Sequence, residues 1–266
     1  RSKIRLQRLK FINQVDVKKN IIDEENGDID IDFILEETQS GEFKVGAGYS
    51  DSSGAIFNIK VEQDNFLGKG NNVGVEIEKS SYKKLIRYRN TNPYFTKDGI
   101  SKSTSIVFSE TDVSSTSTSS FLSDTIAYAV DYNIPISETR SYGYGAELML
   151  TDYTTTAGSP SNVTNFINKY GNAHLGLMIR ASLTDDTRNR SVYATQGQSQ
   201  RISSTFFIKP DFDYSYASVM FKGEYNSPYQ LNFFDMFDWD TTFRFSPQVG
   251  LGTGLIGESS LPFHDK

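Results

Sequence analysis

From Gly41 onward, apolar and polar residues alternate in one segment after another. In the segment 54–63, for example, Ile59 and Val61 are apolar and Lys60 stands between them. A period of two residues predicts a β-strand that has one face in an apolar medium. We count about eleven such segments, with no convincing helix between them, at 41–50, 54–63, 71–80, 84–91, 103–110, 125–133, 141–152, 174–183, 198–207, 216–225 and 239–249.

Strands of this kind occur in soluble sandwiches and in membrane-spanning barrels, because both put one face in an apolar medium. Two features of the strands favour a barrel. Several run for about ten residues or more, against roughly 5–6 in soluble proteins. Charged residues such as Lys60, Glu76 and Glu147 stand in mid-strand, as a water-filled lumen allows. The sequence therefore favours an all-β, antiparallel transmembrane β-barrel.

The connections between the segments point the same way. Tight turns at 51–54 and 67–70 contrast with long polar loops at 111–124 and 153–173. Short turns on one side and long loops on the other are typical of outer-membrane barrels. The two long loops are polar and poor in anchoring residues, and we expect them to be extracellular and locally mobile. The Ser/Thr-rich tract in the first loop could instead be a disordered linker, although its place between two strands favours a surface loop.

The alternation also predicts which side chains share a face, because a slip of one residue would exchange the two faces. The residues expected to face lipid are Phe57, Ile59, Val61, Val73, Val75, Ile77, Leu175, Leu177 and Ile179. The residues expected to face the lumen are Lys60, Glu62, Glu76, Glu78 and Arg180.

Composition excludes several other classes of protein. The 266 residues carry a formal net charge of -6, which argues against nucleic-acid binding. Mean hydropathy is -0.45, and no apolar run approaches the roughly 18 residues that a membrane-spanning helix needs. Hydrophobic residues make up only 37%, while aromatic residues reach 13%. The chain has no cysteine, which removes disulfides and thiolate metal sites and is compatible with an oxidising compartment.

Residues 1–40 have a different pattern from the rest of the chain. The first ten residues combine helical apolar spacing with basic residues and predict the end of a helix that packs on a small sheet. Two alternating runs follow, at 15–17 and 28–35, and Asn26-Gly27 between them is a strong hairpin signal. We therefore assign 1–40 to the end of a small α+β module and 41–266 to the barrel.

No motif in the chain supports catalysis or a bound cofactor or metal. His174 and His264 are the only histidines, so neither a catalytic triad nor a histidine metal cluster is well supported. Asp28, Asp30 and Asp32 resemble the start of a calcium loop, but the glycine and glutamate that such a loop needs are missing. The glycines at 68–74 are not followed by a helix that could bind phosphate. The sequence predicts a protein that is not an enzyme.

Three segments are too distinctive for ordinary turns: QDNFLGKG at 63–70, TNPYFTKDGIS at 91–101 and DTRNRSVYATQG at 186–197. In sequence, order and spacing they closely resemble signature segments of the BamA family, the central subunits of the β-barrel assembly machinery. In that family they join barrel strands two and three, follow strand four and precede strand nine. The matching residues are Asp64, Asn65, Phe66, Gly68, Asn92, Pro93, Tyr94, Phe95, Asp98, Gly99, Asp186, Arg188 and Gly197.

The resemblance covers essentially the whole chain. RLQRLKFINQVDV at 5–17 is similar to the end of the family's last periplasmic POTRA module, and 261–263 to the start of its long sixth extracellular loop. The third segment departs from the family at Ala194, where Pro is usual, and at Gln196, where Asp or Arg is common. These departures concern the local geometry of that turn. The resemblance implies the first eleven strands of a sixteen-strand barrel, and therefore an incomplete barrel.

The motifs also have physical interpretations of their own. Asn92-Pro93 should end a strand, because Pro lacks the donor that the ladder needs. Tyr94 and Phe95 then lie at the height where an aromatic girdle meets lipid headgroups. Arg188 follows two carboxylates and predicts a charge cluster at a barrel rim, for which a structural and a functional role are equally open.

The resemblance implies that the protein folds and inserts other β-barrel proteins into the bacterial outer membrane, with its POTRA part in the periplasm. The implied partners are unfolded β-barrel clients, accessory lipoproteins, periplasmic chaperones and membrane lipid. A related POTRA-barrel transporter of the two-partner secretion type is the alternative. It would be distinguished by its upstream POTRA modules and an N-terminal plug helix. A passive porin or adhesin is disfavoured, because a pore needs no POTRA module.

The first barrel strand, 41–50, is the candidate site for client strands. Gly46 and Gly48 in its interior should weaken its pairing with the last strand, and an opened seam can add a client strand by β-augmentation. The family resemblance implies the same position for the lateral gate. A bend or a close-packed neighbour at the glycines is the alternative. The residues of the predicted gate are Phe43, Lys44, Val45, Gly46, Ala47, Gly48 and Tyr49.

Overall fold

The computed structural model describes residues 6, 11–23, 28–38, 41–51, 54–112, 121–190, 193–210, 214–233 and 237–256. Most of these residues lie in strands, as the alternation predicted. The described part of the chain contains fourteen strands in two antiparallel sheets.

The smaller sheet is the predicted N-terminal hairpin. It pairs β1 (Ile12–Asp23) with β2 (Asp28–Glu37), and its Asn-Gly turn lies outside the described residues. Ile12 and Val15 are buried. Of the predicted N-terminal helix only Leu6 is described, and it is helical. The assignment of 1–40 to a POTRA module stays a prediction.

The larger sheet contains twelve strands, and nearly all of them pair with their neighbours in chain order. This order is that of an up-and-down β-meander. The strands are β3 (Gly41–Ser50), β4 (Gly54–Gln63), β5 (Asn72–Lys79), β6 (Lys83–Asn92), β7 (Ser101–Asp112), β8 (Phe121–Pro135), β9 (Arg140–Thr155), β10 (Ala173–Asp186), β11 (Gly197–Ile208), β12 (Ser215–Phe233), β13 (Phe237–Phe245) and β14 (Gln248–Ile256).

The expected count of about eleven strands becomes twelve because the last predicted run, 239–249, spans a break. β13 pairs with the second half of the 19-residue strand β12, and β14 pairs with its first half. Pro247 lies at the break, where it has no donor for the ladder, and its carbonyl accepts a hydrogen bond from Gly223 N at 2.9 Å. Together β13 and β14 act as one interrupted partner of β12.

The large sheet has two rims. We call the end that holds the β4–β5, β6–β7, β8–β9 and β10–β11 connections the motif rim, and the opposite end the loop rim. The two long connections, β7–β8 and β9–β10, both lie at the loop rim, as expected. The two tight turns at 51–54 and 67–70 lie at opposite rims, because successive connections of a meander alternate. The expectation of short turns on one side only is therefore wrong.

The strand register puts the predicted lipid-facing and lumen-facing sets on opposite faces of the sheet. On the apolar face, a row of directly opposed side chains crosses seven strands: Val61, Val75, Tyr88, Ile106, Tyr128, Leu148 and Leu177. On the polar face, Lys60 pairs with Glu62 at 3.0 Å and Arg87 with Glu76 at 3.1 Å. The predicted division of faces is confirmed.

The sheet curls around its polar face. A cavity of about 720 Å³ is lined by residues from all six strands β6 to β11, which a flat sheet would not bring together. Inside it, Arg180 on β10 binds Glu147 on β9 and Asp131 on β8, the second at 3.1 Å. Arg180 and Asp131 therefore lie in a polar concavity, as a lumen requires.

A short helix, α1 (Ser161–Tyr170), lies in the β9–β10 connection, where we expected a mobile loop without a helix. Its residues Val163, Phe166, Ile167 and Tyr170 recur at helical spacing and are all buried. They pack with a group of aromatic residues from the ends of the strands, which completes the loop-rim cluster: Tyr153, Phe207, Tyr214 and Tyr216. The expectation of a poorly anchored loop at 153–173 is therefore wrong.

The long loop at 111–124 is described only at 111–112 and 121–124.

His174, for which we found no catalytic partner in the sequence, is 3% exposed beside the loop-rim cluster. Its Nε2 donates to the Gly171 carbonyl at 2.8 Å, and its Nδ1 lies 3.3 Å from the Tyr214 hydroxyl. Both ring nitrogens are occupied by structural contacts. No described helix has the length and apolar character to cross a membrane.

Candidate functional site: an edge strand and the motif rim

β3 carries the predicted gate residues 43–49 and is an outer strand of the large sheet. Within the described part of the chain it pairs with β4 alone, from Gly41 opposite Gln63 to Ser50 opposite Gly54. Every residue from 41 to 49 is exposed. One row of backbone donors and acceptors of β3 therefore has no partner strand among the described residues.

The two glycines inside β3 are not required by anything packed beside them. A Cβ at Gly48 would meet no described atom within 4 Å, and one at Gly46 would lie 3.9 Å from Cβ of Asn58. Neither glycine has a positive φ. On the side of β3 that pairs with β4, no described neighbour packs closely enough to require a glycine. That the glycines weaken the pairing of β3 stays a prediction, and a bend at the glycines stays the alternative.

The first family motif forms a closed turn between β4 and β5 at the motif rim. Asn65 has the left-handed φ of 52°, and its Oδ1 accepts a hydrogen bond from Gly70 N at 2.8 Å. Asp64 Oδ1 accepts another from Asn72 Nδ2 at 2.5 Å. Gly68 has a φ of 71°, a region that favours glycine. Asp64, Asn65 and Gly68 therefore shape the turn.

The second motif forms the connection between β6 and β7 at the same rim. Asn92 Oδ1 accepts a hydrogen bond from Tyr94 N at 3.0 Å, across Pro93. Gly99, which follows Asp98, has a φ of 89° and donates from its N to the Thr96 carbonyl at 3.0 Å. As expected, the strand ends at Asn92 and the reversal follows.

Phe95 of the second motif packs in a small cluster on the apolar face. Its ring centroid lies 5.9 Å from that of Tyr132 on β8, and Tyr132 stacks on Tyr144 of β9 at 5.1 Å. The Nζ of Lys102 on β7 lies 5.0 Å from the Phe95 centroid. We call these four residues the motif-rim cluster. It places Phe95, one of the two aromatic residues expected there, at strand-end height.

The third motif holds a charge cluster around Arg188, as predicted, but only one of the two preceding carboxylates joins it, because Asp185 pairs with Arg140 at 2.8 Å. Arg188 donates to both carboxylate oxygens of Asp186, at 2.9 and 2.7 Å, and its Nη1 donates to Glu224 Oε2 on β12 at 3.0 Å. Hydrogen bonding to Asp186 raises the pKa of the Arg188 guanidinium. Glu224 also accepts from Asn226, whose Oδ1 accepts from Arg244 on β13 at 3.1 Å. The network therefore ties the β10–β11 connection to two further strands.

Gly197 is the last residue of the third motif, and its backbone lies very close to the backbone at Thr187. Its φ is 94°, and a Cβ there would lie 2.4 Å from the Thr187 carbonyl oxygen. The departure at Gln196 does not disturb the turn, because Gln196 N donates to Asn189 Oδ1 at 3.3 Å. The departing Ala194 is 3% exposed, so a small side chain fills that position.

The structure brings the three motifs to one rim, in the positions between strands that the resemblance implied. β3 begins at the same rim, with Gly41 opposite Gln63. Sequence reasoning missed Glu224, Asn226 and Lys102. Glu224 lies 36 residues from Arg188 along the chain, so no local pattern pairs them. Whether these residues act on a client or only shape the rim stays a prediction.

Comparison with known families and curated proteins gives the following relatives. The Omp85 superfamily domain matches residues 65–266. The outer membrane protein assembly factor BamA of Buchnera aphidicola is 32% identical over 90 residues, which is 34% of this chain and 15% of that protein. BamA of Neisseria meningitidis serogroup B is 25% identical over 173 residues, 64% of this chain and 22% of that protein.

Among solved structures, the chain is similar to BamA from Haemophilus ducreyi lacking POTRA domains 1–3, with a TM-score of 0.76 and 21% identity. That similarity covers 99% of this chain and 50% of the other. CdiB from Acinetobacter baumannii has a TM-score of 0.54 and 13% identity, over 93% of this chain and 46% of the other. At these identities the structures show a shared fold. The chain spans about half the length of these solved relatives.

Proposed function

Because the chain belongs to the Omp85 superfamily, we propose that it is part of a factor that folds and inserts β-barrel proteins into the bacterial outer membrane. The curated relatives that carry the name outer membrane protein assembly factor support this role. The chain matches only 15% and 22% of their lengths, so the activity is proposed for the full-length protein.

The observation that carries the proposal is the edge of β3. An unfolded barrel strand has unpaired N–H and C=O groups, each of which costs several kcal/mol in hydrocarbon. β3 is the first strand of the large sheet and has no second partner strand among the described residues. In a complete barrel the closing strand would cover this edge, and an opened seam would expose a row of matching groups. A client strand that adds to this edge satisfies its own backbone before it meets lipid, with little dependence on client sequence. No covalent step, nucleotide or metal is needed.

Other elements of the molecule fit the same role. The apolar face of the large sheet is the surface that lipid would cover, and the polar face would line the lumen. The motif rim, where β3 follows the N-terminal hairpin along the chain, would then face the periplasm. Unfolded clients, periplasmic chaperones and accessory lipoproteins would meet the protein on that side.

A reconstituted assembly assay with the full-length protein tests the proposal. A cysteine pair should lock β3 to the closing strand of the barrel, and client folding into vesicles is then followed on a gel. We expect the oxidised protein to stop assembling clients and the reduced protein to recover. Normal assembly by the locked protein would refute the gate. Passage of a substrate through the lumen without client insertion would favour a transporter of the two-partner secretion type.

A further inference from the structure

We propose that Lys102 and the aromatic rings of the motif-rim cluster bind the headgroup phosphate of an anionic phospholipid. The inference rests on the proposed membrane location of the sheet. It assigns a lipid-binding role to a lysine that lies outside β3.

The rings fix the position of the lysine side chain. Lys102 Nζ lies 5.0 Å from the Phe95 ring centroid and 5.7 Å from that of Tyr132. Tyr132 is held in turn by stacking on Tyr144, with the ring planes 15° apart. Cation–π contact orients the ammonium group but leaves its positive charge in place. The charge therefore stays available to a phosphate oxygen.

No carboxylate neutralises Lys102 in the described part of the chain. Its contacts there are the two rings, and it takes part in no ion pair. Lys84 lies on the same face at the loop rim, and its Nζ is 2.7 Å from Glu110 Oε1. The two lysines thus share a face and differ in whether an internal anion already pairs with them.

Lys102 lies near the end of its strand, where lipid headgroups would meet a sheet that spans the membrane. It is the second residue of β7, directly opposite Asn92 and Tyr132 on the neighbouring strands. Further along the same face of β7 come Ile106 and Phe108, which are exposed as lipid-facing side chains should be. Lysine at this boundary attracts anionic lipid, whereas at mid-bilayer it would be costly.

The loop rim has the opposite charge on this face. Directly opposed residues form a row there in which carboxylates outnumber lysines by three to two: Lys79, Lys84, Glu110, Asp124 and Asp152. A phosphate group is repelled by such a mainly acidic row. At the motif rim, Arg140 and Asp185 on this face neutralise each other at 2.8 Å, whereas Lys102 has no ion-pair partner in the described part of the chain. An anionic phospholipid at the motif rim is the occupant that fits both observations.

Native mass spectrometry of the full-length protein tests the inference. The protein is titrated with phosphatidylglycerol, and phosphatidylcholine serves as the zwitterionic comparison. Lys102→Gln should weaken the tightest phosphatidylglycerol binding about fivefold, the effect of one basic residue near a charged lipid. Lys84→Gln is the matched control and should leave binding unchanged, because its charge is already paired. Phe95→Leu keeps the lysine, removes one ring and should weaken binding about twofold.

Three results would overturn the inference. These are unchanged binding by Lys102→Gln, an equal loss in the Lys84→Gln control, and competition by inorganic phosphate as strong as by the lipid. Lys102→Arg should retain binding, which separates lost charge from misfolding. Client assembly by the wild-type protein is measured in parallel. If the wild-type protein does not assemble clients, the proposed function is refuted, and the lipid titration can still be interpreted on its own.

Discussion

Among the glycines of the family motifs, Gly197 should be the one whose replacement by alanine destabilises the protein most. Gly197 has a φ of 94°, and a Cβ would lie 2.4 Å from the Thr187 carbonyl oxygen and 2.9 Å from Cα of Arg188. Both contacts are to backbone, so no flexible side chain can move aside. The Thr187 backbone is also held, because its N donates to the Gln198 carbonyl at 2.8 Å.

The size of the effect follows from two contributions. A left-handed φ costs an alanine about 1–2 kcal/mol, and overpacking against fixed atoms typically costs about 1–3 kcal/mol more. Gly197→Ala should therefore lose about 2–5 kcal/mol of unfolding free energy. Gly68→Ala should lose only the first contribution, because its φ is 71° and a Cβ meets nothing within 4 Å. Gly48→Ala has neither cost and should gain about 0.5–1 kcal/mol, because alanine is better than glycine inside a strand.

Urea unfolding of the full-length protein, refolded into vesicles and followed by gel mobility, measures the series. The expected order of stability is Gly48→Ala, wild type, Gly68→Ala and Gly197→Ala. A Gly197→Ala protein with the wild-type midpoint would show that the third motif does not have the close backbone contact described. A Gly48→Ala protein as unstable as Gly197→Ala would show that β3 has a tight neighbour and would remove the argument for a weak seam.

Three further predictions concern the faces and the rims. Val75→Arg on the apolar face should cost about 2–4 kcal/mol near the bilayer midplane, measured by urea unfolding in vesicles; unchanged stability would mean that this face does not meet lipid. Phe166→Ala should remove about 3–5 kcal/mol of packing from the loop-rim cluster and speed proteolysis at 156–172; unchanged cleavage would show that α1 is not anchored there. An epitope inserted at Ser117 should be detected on intact cells, and detection only after permeabilisation would invert the orientation.

The faces of the sheet could be predicted from sequence because alternation leaves one solution. Val75 and Glu76 must point to opposite sides, and each neighbouring strand repeats the choice. The same alternation hid the break between the last two strands, so the twelfth strand was missed. Apolar residues keep the same phase across Pro247, from Phe243 and Phe245 to Val249, so the break looked like continuous strand. Beyond it, glycines at 250, 252 and 254 alternate with Leu251, Thr253 and Leu255, so no polar residue marks the second face of a new strand.

The helix α1 was predictable but overlooked. Val163, Phe166, Ile167 and Tyr170 have the spacing of one helical face, but the polar residues between them suggested a loop. The contacts of Lys102 and Glu224 could not be predicted from local patterns. They depend on register between distant strands, which brings Lys102 beside Tyr132 and Glu224 beside Arg188.

Cross-linking of stalled clients tests the role of β3 most directly. Single cysteines are placed in the full-length protein at Phe43, Val45 and Ala47, and controls on the interior strand β10 at Leu175 and Leu177. Each is combined with cysteines along a client strand. We expect cross-links from β3 alone, and the client position that cross-links should shift by about two residues with each step of the cysteine from 43 to 45 to 47. Equal cross-linking from β3 and β10 would contradict the proposal that the edge of β3 receives the client.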